Sequence, residues 1–162
     1  AKKIFDIGFE KISINTSSLE NPSLITEVAN FFGSQSVIAS IDVRPNFFGT
    51  YKVYKNRGRK QTSLRALEWS KELESLGAGE LLITSVDREG TWRGFDTKLV
   101  SLISDNVSIP VIAHGGAGSI KDVEEIIQKT NVSAVALGSL VVFQKKDMGV
   151  LINFPNFNLG YL

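Results

Sequence analysis

Two glycine-rich segments of the chain have the composition of phosphate-binding loops. Residues 114–119 (HGGAGS) follow an apolar run and open an amphipathic segment, and residues 137–139 (LGS) follow the next apolar run. Glycines let a backbone come close to a ligand, and the first turn of a helix presents free N–H groups to an anion. The two segments therefore predict phosphate binding, and glycines that only make tight turns are the alternative.

A carboxylate at the same end of a neighbouring run indicates acid–base chemistry. Asp42 ends the apolar run 37–41, so water reaches it from one side only, which is a setting suited to proton transfer. A helix cap or an ion pair with Arg44 is the alternative for this residue. Residues 87–91 (DREGT) supply either further carboxylates for the site or a solvated turn closed by Gly90.

The remaining composition limits the cofactors and partners that we expect. The chain has no cysteine and one histidine, His114, which excludes thiolate metal sites and sites built from several histidines. We expect no metal and no cofactor, and we expect His114 to contact substrate. The net charge of +1 favours neither a nucleic-acid nor a membrane partner. The basic residues within 51–62 indicate a solvated hairpin or a lid over an anionic substrate.

Five short apolar runs alternate with amphipathic segments along the chain. The runs are nearly continuous, which is typical of parallel strands that are buried on both faces. They cover residues 11–15, 36–42, 80–84, 110–113 and 133–137. Start and stop signals predict helices at residues 21–33, 63–76, 96–104 and from 119 onward, the tail of another helix at 1–7, and a hairpin at 51–62.

Strands that alternate with helices predict a parallel α/β sheet, either an open doubly wound sheet or a (β/α)8 barrel. Polar residues follow all five runs, and a barrel uses this whole rim for its site. We therefore expect residues 1–162 to form a single partial (β/α)8 barrel domain with about five C-terminal βα units and without the first three strands. The open edges of such a sheet would favour self-association.

Opposite charges are predicted at the other end of this barrel. Lys11 and Glu80 each open a strand, and alternation puts them on the same faces as the rim residues Asn15 and Thr84, which are expected to point inward. Charges in an apolar interior cost desolvation, so stability alone seldom explains them. An ion pair that closes the end of the barrel is the simplest interpretation.

Several motifs resemble the cyclase subunit of imidazole glycerol phosphate synthase. They lie at residues 13–16 (SINT), 21–25 (NPSLI), 32–35 (FGSQ), 77–80 (GAGE), 84–91 (TSVDREGT) and 115–118 (GGAG), collinear from about Lys2 to Phe143. The resemblance implies a cytoplasmic enzyme of histidine biosynthesis, a (β/α)8 barrel with a bisphosphate substrate across its C-terminal rim. It also implies a glutaminase subunit that docks on the opposite face and sends ammonia through the barrel.

The resemblance also implies roles for individual residues. Of two carboxylates that act as acid and base, the one on the fifth strand matches Asp42, and the one on the first strand lies in a part that this chain lacks. Lys11 and Glu80 match part of a charged ring through which ammonia enters. One phosphate site matches Asn15 and Thr16, and the other matches Gly90, Gly116, Gly138 and Ser139. We expect further substrate contacts at Thr84, Glu89, His114 and Gly115.

Three departures from the family pattern keep other functions open. The family usually has aspartate in place of Glu89 and serine in place of His114, and residues 144–155 differ from the usual C-terminal tail. These features resemble paralogues that accompany surface-polysaccharide genes, to which the amidination of a nucleotide sugar with glutaminase-derived ammonia is ascribed. A catalytically incomplete barrel fragment that only binds phosphate is the alternative of a different class.

Overall fold

Five parallel strands and one antiparallel hairpin form the sheet. The computed structural model describes residues 2–143 and 149–150. Ala1 lies outside the described residues. So does most of the segment 144–155, which differs from the usual C-terminal tail of the family. The strands are β1 (Ile12–Ile14), β2 (Val37–Pro45), β3 (Tyr51–Lys55), β4 (Lys60–Arg65), β5 (Glu80–Ser85), β6 (Val111–His114) and β7 (Ala134–Ala136). The helices are α1 (Lys2–Asp6), α2 (Thr16–Glu20), α3 (Ser23–Phe32), α4 (Ala66–Ser75), α5 (Thr97–Ser104), α6 (Ile120–Lys129) and α7 (Ser139–Val142).

The parallel strands are arranged in the sheet in the order in which they occur in the chain. β1 pairs with β2, β2 with β5, β5 with β6 and β6 with β7, always in parallel. A doubly wound sheet reverses its strand order at a switch point, whereas a (β/α)8 barrel adds each strand beside the previous one. Since the described strands show no reversal, the predicted partial barrel is confirmed and the doubly wound alternative is wrong.

Alternation along the strands separates an outer face from an inner face. On β2, Val37, Ala39, Ile41 and Val43 are at most 1% exposed and belong to one core with residues of α3, α4 and α5. The residues between them, which define the inner face, are more accessible. The same alternation runs along β5 and β6. Strands predicted to be buried on both faces are thus fully buried on the outer face only, because no described strand packs across the inner face.

Capping interactions set the ends of three predicted helices. α3 follows Pro22 and ends at Gly33, whose φ of +91° is a conformation that favours glycine. The Asp96 side chain accepts a backbone hydrogen bond at the start of α5. Ser119 and Asp122 form a reciprocal capping box at the start of α6. In the described part of the chain, no helix has the length and apolar character that crossing a membrane requires.

Two element boundaries differ from the sequence-based prediction. The helix predicted from Ser63 begins only at Ala66, because the preceding residues form β4 and pair with β3. Asp42, predicted at the end of its strand, lies inside β2, because pairing with β3 extends β2 to Pro45. The short helices α2 and α7 have no signal that the sequence analysis detected.

Tyr51 connects the hairpin to the outer helices. Its hydroxyl donates a hydrogen bond of 2.9 Å to Asp96 Oδ1, and the same carboxylate caps α5. Burial and the hydrogen bond to Asp96 raise the pKa of Tyr51 to about 12. The cause is that ionisation would place a partly desolvated phenolate beside a carboxylate.

We predict that Tyr51 contributes to the loss of stability at high pH. An unfolded tyrosine ionises near pH 10, whereas folded Tyr51 keeps its proton until about pH 12. Its stabilising contribution is therefore complete below pH 10 and is lost as the pH rises to 12. We therefore expect the free energy of unfolding in urea to fall less steeply between pH 10 and pH 12 in Tyr51→Phe than in the unmodified protein.

Tyr54→Phe is the matched control, because the Tyr54 hydroxyl bonds to the neutral Gln61 side chain. If Tyr54→Phe reduced the pH dependence of the free energy of unfolding as much as Tyr51→Phe, the assignment to Tyr51 would be contradicted.

Candidate functional site at the rim of the sheet

Asp42, Thr84 and His114 lie side by side on the inner face. In the register of the sheet Asp42 is the partner of Thr84, Thr84 of His114, and His114 of Ala136. Partners on neighbouring strands share a face and are about 5 Å apart, so Asp42 and His114 are separated by roughly 10 Å. On its other side Asp42 is the partner of Tyr54. We use the term rim row for these five residues, which are, in order across the sheet, Tyr54, Asp42, Thr84, His114 and Ala136.

Asn15 joins β1 to the rim row. Its side-chain amide donates hydrogen bonds to Asp42 Oδ1 over 3.1 Å and to Ser40 Oγ over 3.3 Å. Asn15 Oδ1 is buried and has no hydrogen-bond partner among the described residues. Because a buried acceptor without a partner is costly, this oxygen is a position where a donor group of a ligand would be stabilising.

His114 bridges two other residues that the sequence assigns to the site. Its Nδ1 lies 3.2 Å from Thr84 Oγ1, and its Nε2 lies 3.4 Å from Glu89 Oε2. Both ring nitrogens therefore face protein groups, and the ring holds Thr84 and Glu89 in fixed positions. Within the part of the chain that the structure describes, no three His, Asp or Glu side chains are arranged to hold a metal ion.

The second expected phosphate site is a small pocket, the glycine pocket, and glycines make up half of its lining. Its lining consists of Glu89, Gly90, Gly115, Gly116, Ala117, Ala136, Gly138 and Ser139. Gly115 and Gly116 have φ values of +97° and +109°, and a Cβ on Gly116 would collide with the carbonyl oxygen of Gly94. The backbone thus requires glycine at these two positions with or without a ligand.

Gly138 is different, because the fold leaves room for a side chain there. Its backbone angles, φ −109° and ψ −92°, are close to those of Asn15, φ −113° and ψ −103°. A Cβ on Gly138 would lie 3.3 Å from Glu89 Oε1 and 3.7 Å from His114 Nε2. The absence of a side chain at Gly138 leaves its backbone accessible between Glu89 and His114, which favours a ligand that approaches this backbone closely.

The N–H groups just before α6 are engaged by a side chain of the helix itself. The N–H groups of Gly118 and Ser119 donate to Asp122 Oδ2 over 2.9 and 2.8 Å. An anion that approached these two N–H groups would have to compete with the Asp122 carboxylate.

Lys11 and Glu80 form an ion pair at the opposite end of the inner face. Glu80 begins β5 and is the partner of Ile38, whereas Lys11 directly precedes β1. The ion pair therefore spans β2, with Lys11 44% and Glu80 20% exposed at the side chain. The two charged side chains meet as predicted from alternation along their strands.

Arg44 is the centre of a cluster that the sequence does not reveal. It forms an ion pair with Asp87, lies over the Tyr54 ring at 5.5 Å from the centroid, and donates a hydrogen bond of 3.4 Å to the Gly58 carbonyl. The hydrogen bond with Asp87 raises the pKa of Arg44 above its ordinary value. The suggested ion pair between Arg44 and Asp42 is replaced by this one, because Asp87 follows β5 on the neighbouring strand.

A family model and individual relatives match nearly the whole chain. The model for histidine biosynthesis proteins matches residues 1–147. A protein of Pseudomonas aeruginosa, provisionally named imidazole glycerol phosphate synthase subunit hisF2, is 49% identical over 158 residues, which are 98% of this chain and 63% of the relative.

Two further relatives carry the name imidazole glycerol phosphate synthase subunit HisF. The protein of a Hydrogenobaculum species is 46% identical over 93% of this chain and 60% of its own length. The protein of Lactococcus lactis is 44% identical over 86% of this chain and 54% of its own length. The chain thus spans 54–63% of the length of these three relatives.

We predict that Gly138→Ala weakens phosphate binding without destabilising the fold. The added methyl group would fill the space over the backbone and need only a small shift of Glu89. Loss of one hydrogen bond to a charged group corresponds to an affinity about tenfold lower. Calorimetric titration with inorganic phosphate measures this change. Gly149→Ala is the control, because a Cβ there meets no described residue within 4 Å; equal affinities in both variants would exclude the glycine pocket.

Proposed function

Since the chain belongs to the family of histidine biosynthesis proteins, we propose that it forms part of the cyclase subunit of an imidazole glycerol phosphate synthase. In this reaction ammonia enters a ribulosyl-formimino carboxamide nucleotide, and imidazole glycerol phosphate and an aminoimidazole carboxamide ribotide are formed. The substrate carries two phosphate groups and lies across the rim of the inner face. The ammonia comes from a glutaminase subunit.

The hydrogen bond from Asn15 to Asp42 is the observation that carries this proposal. It connects the expected catalytic carboxylate to the first expected phosphate site over 3.1 Å, although 26 residues separate the two in the chain. A cyclisation that adds ammonia needs a group that accepts and returns protons beside the reacting carbon atoms. Asp42 fills this role, because it lies in the rim row beside the first expected phosphate site and is only partly buried.

The two phosphate groups would bind at opposite ends of the row. Asn15 and Thr16 follow β1, and Gly138 and Ser139 follow β7, so the sites lie at the two outer parallel strands. Asn15 and Gly138 share nearly the same backbone conformation, and each directly precedes a short helix. A substrate held at both ends would lie across the rim row, which contains Asp42, and this would bring its reacting atoms near the carboxylate.

The Lys11–Glu80 pair fits a gate for ammonia. It lies on the inner face at the end of the sheet opposite to Asp42, where a neutral molecule would enter on its way to the rim. An ion pair at this place excludes bulk water from the passage and opens when one of the side chains moves. Ammonia from a glutaminase bound at that end would thus reach the substrate without release into solvent.

Amidination of a nucleotide sugar is the second candidate function. The contact between Glu89 and His114 favours it, because the family usually has shorter side chains at both positions and the pair narrows the second phosphate pocket. The two functions are separated by supplying the histidine-pathway nucleotide together with ammonium. Cyclisation supports the first function, and its absence in a folded protein that binds a nucleotide sugar supports the second.

We predict that Asp42→Asn lowers the rate of cyclisation by roughly 10²-fold or more, as expected for removal of an acid–base group. Substrate affinity and the fold should change little, because asparagine can keep the hydrogen bond to Asn15. Turnover with ammonium, in a full-length protein that contains this chain, measures the effect. Asp6→Asn is the control, since Asp6 is exposed on α1; unchanged turnover in Asp42→Asn would assign this carboxylate a structural role.

We further predict that Lys11→Ala or Glu80→Ala impairs glutamine-dependent activity and spares activity with free ammonium. The reason is that ammonium in solution reaches the rim without passing the gate. The ratio of the two activities, measured for the complex with the glutaminase, is the relevant quantity. A parallel decrease of both activities would show that the ion pair supports the fold instead.

A further inference from the structure

The glycine pocket has a charged side chain in its lining, and the charge is negative. Of the described residues that line the pocket, Glu89 is the one that ionises, and the others are glycines, alanines and a serine. No Lys or Arg side chain among the described residues forms an ion pair with Glu89. A phosphate group in the pocket would therefore meet a carboxylate, and two negative charges at short distance repel each other.

His114 is the group that can compensate this repulsion. Its Nε2 lies 3.4 Å from Glu89 Oε2. A Cβ on Gly138 would lie 3.3 Å from Glu89 Oε1 and 3.7 Å from His114 Nε2, so both side chains border the space above this glycine. Histidine is the side chain whose charge changes most readily between pH 5 and 8. A proton on the ring would thus supply the positive charge that the lining lacks.

The contacts of His114 allow its ring to gain a proton without losing a hydrogen bond. Nδ1 lies 3.2 Å from Thr84 Oγ1. In the neutral ring with its proton on Nε2, the ring donates to Glu89 and accepts from the Thr84 hydroxyl. In the charged ring Nδ1 also donates, and the Thr84 hydroxyl accepts after rotating about its C–O bond. The same ring position therefore serves both charge states.

The other charged groups around this pair are distant or already engaged. Asp42 lies two strands away from His114, at roughly 10 Å across the sheet. In the loop after β5, Asp87 pairs with Arg44, and Arg88 donates to two backbone carbonyl oxygens of its own loop. On the far side, β7 and α7 contain no charged residue. Among the described residues, Glu89 and His114 are thus the groups that respond first to an anion in the pocket.

The two departures from the family pattern at this pocket form a single contact. The family usually has aspartate in place of Glu89 and serine in place of His114. A serine hydroxyl can hydrogen-bond to a phosphate oxygen but does not change its charge near neutral pH. In this chain the two positions hold side chains that touch each other and can both titrate. The exchange therefore replaces a neutral contact by a titratable pair.

We propose that the glycine pocket binds its phosphate group together with a proton, which the Glu89–His114 pair takes up from solvent. A dianion beside the pair favours the charged imidazole and disfavours the charged carboxylate, so both effects promote uptake. Because the two groups titrate as a coupled pair, the proton belongs to the pair and not to one residue. The inference rests on the proposed function, because it takes the bound group to be a phosphate of that substrate, and it adds how the pocket compensates the phosphate charge.

Calorimetric titration with sulfate, in a full-length protein that contains this chain, counts the protons. Sulfate keeps its two charges at about pH 6 to 8, whereas a phosphate group itself titrates in this range. In buffers of different ionisation enthalpy, the measured heat changes in proportion to the protons taken up. We expect uptake of about half a proton per sulfate on average over this range, which makes the affinity about tenfold higher at pH 6 than at pH 8.

Glu89→Asp combined with His114→Ser introduces the residues that the family usually has. This double variant should bind sulfate with little proton uptake and with an affinity that changes little between these pH values, because serine does not titrate there. Asp42→Asn is the matched control for a carboxylate outside the pair. It should keep the uptake of the unmodified protein.

The proposal is overturned if sulfate does not bind, if it binds without proton uptake, if the double variant keeps the full uptake, or if Asp42→Asn abolishes it. The titration needs no turnover, so it is independent of the cyclisation assay. Sulfate binding without proton uptake would refute this inference and leave the proposed function standing. A protein that takes up protons with sulfate but does not cyclise the histidine-pathway nucleotide would refute the proposed function and leave the proton-coupled pocket intact.

Discussion

The register of β2 against its neighbours is the constraint on which the rest of the site depends. In the observed register, alternate residues of β2 enter the core under the helices, namely Val37, Ala39, Ile41 and Val43. The same register leaves Asp42 on the opposite face, next to Thr84. A slip of one residue would bury the carboxylate among aliphatic side chains and expose the core residues. The hydrophobic burial that stabilises the sheet therefore also determines which side chains reach the rim.

Each polar side chain around Asp42 is held by a partner from a different segment. Asn15, which follows β1, bonds to Asp42 itself. His114 of β6 lies within hydrogen-bond distance of Thr84, and Arg44 is fixed by Asp87 and Gly58. Groups held in this way lose little conformational freedom when a substrate binds, which is the basis of preorganisation in catalysis. The rim thus combines carboxylates with amide, imidazole and guanidinium groups on one sheet.

Much of the fold follows from local sequence, whereas the contacts of the site do not. Continuous apolar runs predict the five parallel strands, and the start signal at Ser119 predicts the beginning of α6. The helical spacing of Leu64 and Leu67 is misleading, because pairing with β3 draws Leu64 into a strand. The Arg44–Asp87 ion pair joins residues 43 positions apart, and no local pattern records it. Likewise, only the structure shows that Asp122 occupies the N-terminus of α6.

The central claim is that a substrate with two phosphate groups lies across the inner face and passes over Asp42. A crystal structure of the chain with a sugar bisphosphate tests this claim most directly, through the positions of the two phosphorus atoms. The account predicts one phosphate at Asn15 and Thr16, the other at Gly138 and Ser139, and the carbon chain over Asp42. A bisphosphate bound on the outer helices or beside the Lys11–Glu80 pair, with the rim empty, would contradict it.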